Sequence, residues 1–146
     1  GADVRSHTEL LYLELSGAPK VLGDVPPDDF STTGQRWGNP LCRWDVMESQ
    51  HVGWWILRLN LSRALFDLVR IEHFRGFEAY WEVPASEENA VNGRWVPEPG
   101  AAFFEEVRKQ MPDFPIIAED LGLITPDVEA RRGRFSLPGL RLWTFA

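Results

Sequence analysis

The chain has 146 residues, about the length of one domain, of which 44% are hydrophobic and 25% charged. Its net charge of −7, without a cluster of basic residues, disfavours nucleic acid or an anionic membrane as a partner. Because the sequence has no membrane-length apolar run, no apolar signal segment at its start and a single cysteine, Cys42, we expect a cytoplasmic protein without a disulfide framework.

The segment from Gly23 to Pro40 is rich in Pro, Gly, Asp, Ser and Thr, and predicts a first long loop. Irregular segments of this length are uncommon in compact domains, and they are usually functional or disordered. Phe30 and Trp37 within the segment favour an ordered functional loop. From Asp45 to Leu65, apolar residues recur at helical spacing and predict a helix.

Three short apolar runs further along the chain predict buried strands. They are Phe66–Ile71, Phe114–Ala118 and Gly139–Phe145. A second long loop is predicted from Gly76 to Pro99, and a helix from Gly100 to Met111. Another helix is predicted from Thr125, a preferred N-cap residue followed by a proline, to about Phe135.

This alternation of helices and strands is typical of an α/β fold with parallel strands and crossover helices. A closed (β/α)₈ barrel needs eight strands and about 250 residues. The sequence therefore predicts an α/β arrangement of about three parallel strands with crossover helices and two long loops, too few strands to close a barrel.

Charged residues follow the first two predicted strands. Arg70, Glu72 and His73 stand at the end of the first, and Glu119 and Asp120 at the end of the second. In parallel α/β folds the carboxyl ends of the strands carry the catalytic groups. Two carboxyl groups there could reach the separation of about 5–5.5 Å that retaining glycosidases use. Arg70, two residues before Glu72, would face the same side of the strand and keep that carboxylate ionised and oriented.

Two other interpretations of these residues stay open on the pattern alone. Charges at strand ends are often simply solvated. A metal site could also be formed by Glu72, His73 and Glu119, although an adjacent Glu-His pair has no recognised ligand spacing.

Several segments, in the same order, resemble those of the amylomaltases, the 4-α-glucanotransferases also called disproportionating enzymes. The similarity covers roughly Leu11 to Phe145. The segments that carry it are Val25–Asp28 with Gly34–Leu41, Asp67–Trp81, Ala90–Trp95, Ile116–Gly122 and Leu137–Gly139.

This resemblance implies that residues 1–146 form part of one glycoside-hydrolase-type (β/α)₈ catalytic domain. Such enzymes transfer α-1,4-glucan segments between maltooligosaccharides through a covalent intermediate, without a metal or organic cofactor. Glu119 matches their acid/base residue and Glu72 stands at the position of their nucleophile. Substrate-binding positions of the family are matched by Arg70, His73, Asp28 and Trp37.

The sequence also departs from the family pattern. Glu72 replaces the nucleophilic aspartate, while Asp29 and Cys42 stand where the family has tyrosines. A third catalytic carboxylate, in a later His-Asp motif, and the early barrel strands are not in this sequence. We therefore expect the chain alone to be inactive, and to self-associate through exposed strand edges.

Two further functions remain as alternatives. One is a different retaining α-glucan enzyme related to α-amylases, which the Gly34–Leu41 motif disfavours. The other is a non-catalytic module for glucan binding or subunit interaction, which Glu72 and the missing third carboxylate favour.

Overall fold

The computed structural model describes residues 2–122 and 124–140, which contain helices and strands in two units. The first unit comprises Gly1–Ser49 and Ala79–Pro97, and the second comprises Gln50–Glu78 and Glu98–Ala146. In chain order the strands are β1 (Val21–Val25), β2 (Gln35–Pro40), β3 (Val69–Ile71), β4 (Ala79–Pro84), β5 (Arg94–Pro97) and β6 (Ile116–Ala118). The α-helices are α1 (Ala2–Ser6), α2 (Trp44–Ser49), α3 (Gly53–Leu65), α4 (Gly100–Gln110) and α5 (Pro126–Arg134). Thr8–Leu10 and Phe74–Phe77 form 3-10 helices.

The first unit contains a four-stranded antiparallel sheet in the order β2-β1-β4-β5. The prediction of two long loops was therefore wrong, because β2 and the last residues of β1 lie within 23–40, and β4 and β5 lie within 76–99. These strands were not recognised in the sequence because prolines, which usually indicate loops, stand at the ends of the two outer strands. Pro40 and Pro97 occupy these ends, where the loss of an amide donor is tolerated. Buried apolar residues of this unit include Leu10, Leu22, Met47, Ala79, Val83 and Ala90.

The second unit contains the parallel pair β3–β6, in the register Val69↔Ile116, Arg70↔Ile117 and Ile71↔Ala118. The predicted parallel pairing of these two runs is confirmed, although each strand is only three residues long. Of the third predicted strand, Gly139 and Leu140 are not in a strand, and 141–145 lie outside the described residues. The described part of the chain is thus a mixed α/β fold with mainly antiparallel strands, rather than about three parallel ones.

The predicted helix from Asp45 to Leu65 is interrupted. Helix α2 ends at Ser49 and α3 begins at Gly53, because His51 and Val52 adopt positive φ angles of 52° and 48°. A β-branched residue rarely adopts this left-handed conformation, so the sequence carries no sign of the break. Helices α4 and α5 lie where the sequence predicts them.

Aromatic rings form much of the core of the second unit. Phe103 is 1% exposed, and its ring centroid lies 4.9 Å from that of Phe77 and 4.8 Å from that of Phe104. Trp55 packs against both Phe77 and Phe103. Among the described residues, no helix combines the length and apolar character needed to cross a bilayer.

Candidate active site

The carboxyl ends of β3 and β6 bring four of the predicted site residues together. Ile71 and Ala118 are register partners in the parallel pair. The residues that follow them, Glu72 and Glu119, therefore leave the sheet at the same edge. The predicted common edge for these two carboxylates is confirmed.

Glu119 is buried, with 8% of its surface exposed, and both of its carboxyl oxygens accept backbone hydrogen bonds. His73 N donates to Oε2 at 2.8 Å, and Leu121 N donates to Oε1 at 2.9 Å. Its main chain continues the pairing, with Glu119 N donating to Ile71 O and Phe74 N donating to Glu119 O, both at 2.9 Å. These contacts fix the position and the orientation of the Glu119 carboxyl group.

Glu72 has a different environment. Its side chain is 66% exposed, and its Oε2 lies 2.5 Å from Nη2 of Arg70, which is 55% exposed. Because side chains alternate along a strand, residues 70 and 72 share a face, and the predicted contact between them is confirmed. Of the two carboxyl groups at this edge, that of Glu72 is therefore exposed and paired with a cation, whereas that of Glu119 is buried and held by amides.

His73 links the two strand ends. It adopts a left-handed backbone conformation with φ of 50°, which directs its N–H toward Glu119. Burial lowers the pKa of the His73 imidazole below its ordinary value of 6.5, although Glu119 acts to raise it. Arg75 adds to the lowering and Glu72 opposes it. The imidazole is therefore neutral at pH 7.

Asp120 is a further residue of this edge to which the sequence assigned no role. Its Oδ1 accepts a hydrogen bond from Leu140 N at 2.8 Å, and Arg132 Nε lies 2.9 Å from its Oδ2. The carboxylate thus connects the end of β6 to helix α5 and to the segment after it. Its place directly after Glu119 is the one sequence feature that could have indicated this role.

Asp28 and Trp37, the other two predicted site residues, lie in the first unit. Oδ1 of Asp28 accepts hydrogen bonds from Phe30 N and Ser31 N at 2.9 and 2.8 Å, so this carboxylate shapes its own loop. Trp37 lies on β2, and its side chain is exposed, at 48%.

The residues that the structure describes include no group of three or more His, Cys, Asp or Glu side chains able to hold a metal ion. The alternative metal site at Glu72, His73 and Glu119 is not among such groups in the described residues.

Comparison with known proteins gives a consistent result. A family model described as 4-alpha-glucanotransferase matches residues 1–146. A 4-alpha-glucanotransferase of Thermus thermophilus is 55% identical over 145 residues, which cover 99% of this chain and 29% of the relative. A chloroplastic/amyloplastic 4-alpha-glucanotransferase of Solanum tuberosum is 43% identical, covering 99% of this chain and 25% of the relative. The chain thus spans less than a third of the length of these relatives.

Among solved structures, an amylomaltase from Streptococcus agalactiae in complex with acarbose is similar to this chain with a TM-score of 0.92. The sequences are 37% identical, and the match covers 95% of this chain and 28% of that chain.

Proposed function

The chain belongs to the 4-alpha-glucanotransferase family, and we propose that it carries the acid/base part of an active site that transfers α-1,4-glucan segments between maltooligosaccharides. One observation carries the proposal. Glu119 is buried and held by two amides at the carboxyl end of a parallel strand pair, with Glu72 at the same edge.

We propose that residues 1–146 lie within a single (β/α)₈ catalytic domain, in which β3 and β6 are neighbouring barrel strands. Parallel pairing of neighbouring strands is typical of such barrels. The similarity to the amylomaltase structure over 95% of the chain supports the same architecture. The antiparallel sheet of the first unit is then an elaboration on the barrel.

In this mechanism the Glu119 carboxyl group first protonates the glycosidic oxygen of the donor as the bond to the anomeric carbon breaks. The carboxylate at position 72 attacks that carbon from the other face and forms a glycosyl ester. Glu119, now ionised, removes the proton from the acceptor 4-hydroxyl. The acceptor oxygen displaces the ester and forms the new α-1,4 bond.

Arg70 and His73 have supporting roles. The Arg70 guanidinium, 2.5 Å from Glu72 Oε2, orients that carboxylate for attack. His73 is neutral at pH 7 because burial lowers its pKa, so its ring can both donate to and accept from sugar hydroxyls. The substrate class follows from the family and from the acarbose bound by the amylomaltase of similar structure.

The glutamate at position 72 limits this activity. Its side chain is one methylene longer than the family's aspartate, so its oxygens lie in a different place relative to the strand. A displacement of about 1 Å at a reacting centre can cost on the order of a hundredfold in rate. We therefore expect no detectable disproportionation of maltotriose by the chain alone.

The test places residues 1–146 in an intact family member and compares Glu72 with Glu72→Asp by glucose release from maltotriose. We expect Glu72→Asp to raise activity by more than about tenfold, because it returns the carboxylate to the attacking position. Glu119→Gln in the same hybrid should abolish the gain, and Glu88→Gln, at an exposed position, serves as the control. A gain below tenfold would show that Glu72 does not occupy the nucleophile's position. Glucan binding without turnover in the Glu72→Asp hybrid would favour a non-catalytic binding role instead.

Two other expectations remain predictions. Self-association through exposed strand edges is to be tested by light scattering. A cytoplasmic location also stays a prediction, since the Solanum tuberosum relative is named as chloroplastic/amyloplastic.

A further inference from the structure

Asp24 is a buried carboxylate that the proposed mechanism does not use. It lies on β1 in the first unit, and its side chain has no exposed surface. A carboxylate withdrawn from water is costly unless donors or cations compensate it. The groups that contact the Asp24 carboxylate therefore indicate its structural role.

The β1–β2 ladder is irregular at Asp24. Gly23 pairs with Asn39 and Val25 pairs with Gln35, so Asp24 alone faces the three residues 36–38 of β2. Two extra residues on one strand form a bulge, whose amide groups lose their regular partners in the ladder.

The Asp24 side chain supplies acceptors to this bulge. Its Oδ1 receives the N–H of Trp37 at 2.9 Å and the N–H of Gly38 at 3.0 Å. Gly38 adopts a left-handed φ of 72°, which completes the turn of the bulge. The main chain of Trp37, whose indole is exposed, is thus hydrogen-bonded to the buried Asp24 carboxylate.

Arg36 compensates the charge and anchors the other side of the bulge. Its Nε lies 3.4 Å from Asp24 Oδ2. Its Nη1 donates to Glu87 O and its Nη2 donates to Ala85 O at 3.2 Å. The bulge is therefore fixed both to β1 and to the segment that follows β4.

We propose that Asp24 is a positioning residue for Trp37, holding the bulge so that the indole presents a fixed face to a glucose ring of the substrate. The inference rests on the proposed function in assigning glucan binding to Trp37. Aromatic rings offer large apolar faces to ligands, and a side chain already fixed in its bound orientation loses less entropy on binding.

The test labels the chain with 5-fluorotryptophan and follows the Trp37 ¹⁹F resonance, assigned with Trp37→Phe. In Asp24→Asn, which keeps the side-chain shape but places an amide against Arg36, we expect this resonance to shift or broaden while the other six tryptophan resonances stay in place. Asp24→Ala should enlarge the effect, and if that variant does not fold, Asp24→Asn alone decides. Asp28→Asn is the matched control for the resonance, because Asp28 also accepts two backbone amides but not that of Trp37. An unmoved Trp37 resonance in folded Asp24→Asn would overturn the proposal.

Titration of the same labelled chain with maltoheptaose separates this inference from the proposed function. If both are right, Trp37→Phe and Asp24→Asn each weaken maltoheptaose binding, and the double variant binds no more weakly than Trp37→Phe. If the resonance moves in Asp24→Asn but Trp37→Phe binds maltoheptaose like the unchanged chain, Asp24 positions Trp37 and the assignment of Trp37 to glucan binding is wrong. If Asp24→Asn weakens binding further in the Trp37→Phe background, Asp24 acts by another route and the inference fails.

Discussion

The two units of this chain fix their site residues by different physical means. In the second unit a cluster of aromatic rings, including Phe74, Phe77 and Phe103, packs densely, and the register of β3 and β6 places Glu119, whose carboxyl group two backbone amides then orient. In the first unit the buried apolar residues are smaller, and a buried carboxylate, Asp24, organises the bulge that carries Trp37. Apolar packing resists local change because each buried side chain contacts several others, whereas the polar arrangement around Asp24 depends on a few hydrogen bonds.

The difference predicts where each unit is vulnerable. Loss of ring volume should be most damaging in the second unit. Changes of backbone conformation around β1 and β2, and loss of the hydrogen bonds that Asp24 accepts, should be most damaging in the first.

The largest effect is expected from Phe103→Ala in the second unit. Phe103 is 1% exposed and its ring contacts Phe77, Phe104 and Trp55. Removing a buried phenylalanine ring costs about 3–5 kcal/mol of unfolding free energy, since it leaves a cavity. Urea denaturation followed by circular dichroism measures the loss. Leu61→Ala, at a position 59% exposed, is the control and should change stability by less than about 0.5 kcal/mol. Equal effects of the two changes would contradict an aromatic core.

Two glycines of the first unit form a matched pair for the next prediction. Gly34 and Gly38 have φ angles of 70° and 72°. A Cβ on Gly34 would lie 2.3 Å from Val25 O and 2.8 Å from the Cβ of Ala90, whereas a Cβ on Gly38 meets nothing within 4 Å. Gly38→Ala should therefore cost only the left-handed conformation, about 1–2 kcal/mol. Gly34→Ala should cost about 1–3 kcal/mol more, because the backbone must also move. Thermal melts of both variants measure the difference, and similar melting temperatures would mean that the β1–β2 loop yields without strain.

Strands and helices with a clear apolar pattern could be predicted from the sequence, whereas the contacts of Asp24 and the left-handed residues could not. Phe66–Ile71 and Phe114–Ala118 are mainly apolar runs, so two strands and their parallel pairing could be predicted. Nothing in the sequence shows that Asp24 would accept the amides of Trp37 and Gly38, since the contact spans thirteen residues and depends on a bulge. The left-handed His51 and Val52 likewise have no local signal.

The candidate site was predicted partly from strand ends and partly from the family resemblance. Glu72 and Glu119 follow apolar runs, and the carboxyl ends of parallel strands meet at one edge. The contact of Glu72 with Arg70 could be predicted, but the environment of Glu119 could not, because its carboxyl group is held by amide donors from residues 73 and 121.

His73 is expected to make the folding stability of the chain depend on pH. Burial lowers its pKa in the folded chain below the ordinary value of 6.5. Above pH 6.5 the imidazole is neutral in both states and adds no pH dependence. As the pH falls below 6.5 the unfolded chain binds a proton that the folded chain resists, so folding stability decreases until the pH reaches the folded pKa. The stability of the unchanged chain relative to His73→Gln should therefore decrease from pH 7 to pH 5 in urea titrations. His51→Gln, at an exposed position, is the control, and a pH-independent difference for His73→Gln would contradict the inferred burial.

The smallest effect is expected from an ion pair on the sheet of the first unit. Arg94 and Glu82 are register partners on β5 and β4, and Nε and Nη2 of Arg94 donate to Glu82 Oε1 at 2.8 and 2.6 Å. The Arg94 side chain is 75% exposed and that of Glu82 is 13% exposed, so water screens the guanidinium and ordering a long side chain opposes the pair. A double-mutant cycle of Arg94→Ala and Glu82→Ala should give a coupling of about 0.2–1 kcal/mol, decreasing in 1 M salt.

The ion pair Arg132–Asp120 of the second unit can be compared with the Arg94–Glu82 pair of the first. Its side chains are 29% and 12% exposed, and Arg132 Nε lies 2.9 Å from Asp120 Oδ2. Screening is weaker for partly buried charges, so the coupling of Arg132→Ala with Asp120→Ala should exceed that of the Arg94 pair and respond less to salt. Asp120 also accepts the Leu140 amide, and this bond is lost equally in Asp120→Ala and in the double variant, so it cancels from the cycle. If the Arg94 pair coupled more strongly than the Arg132 pair, single polar contacts would contribute more to the stability of the first unit than the exposure of Arg94 predicts.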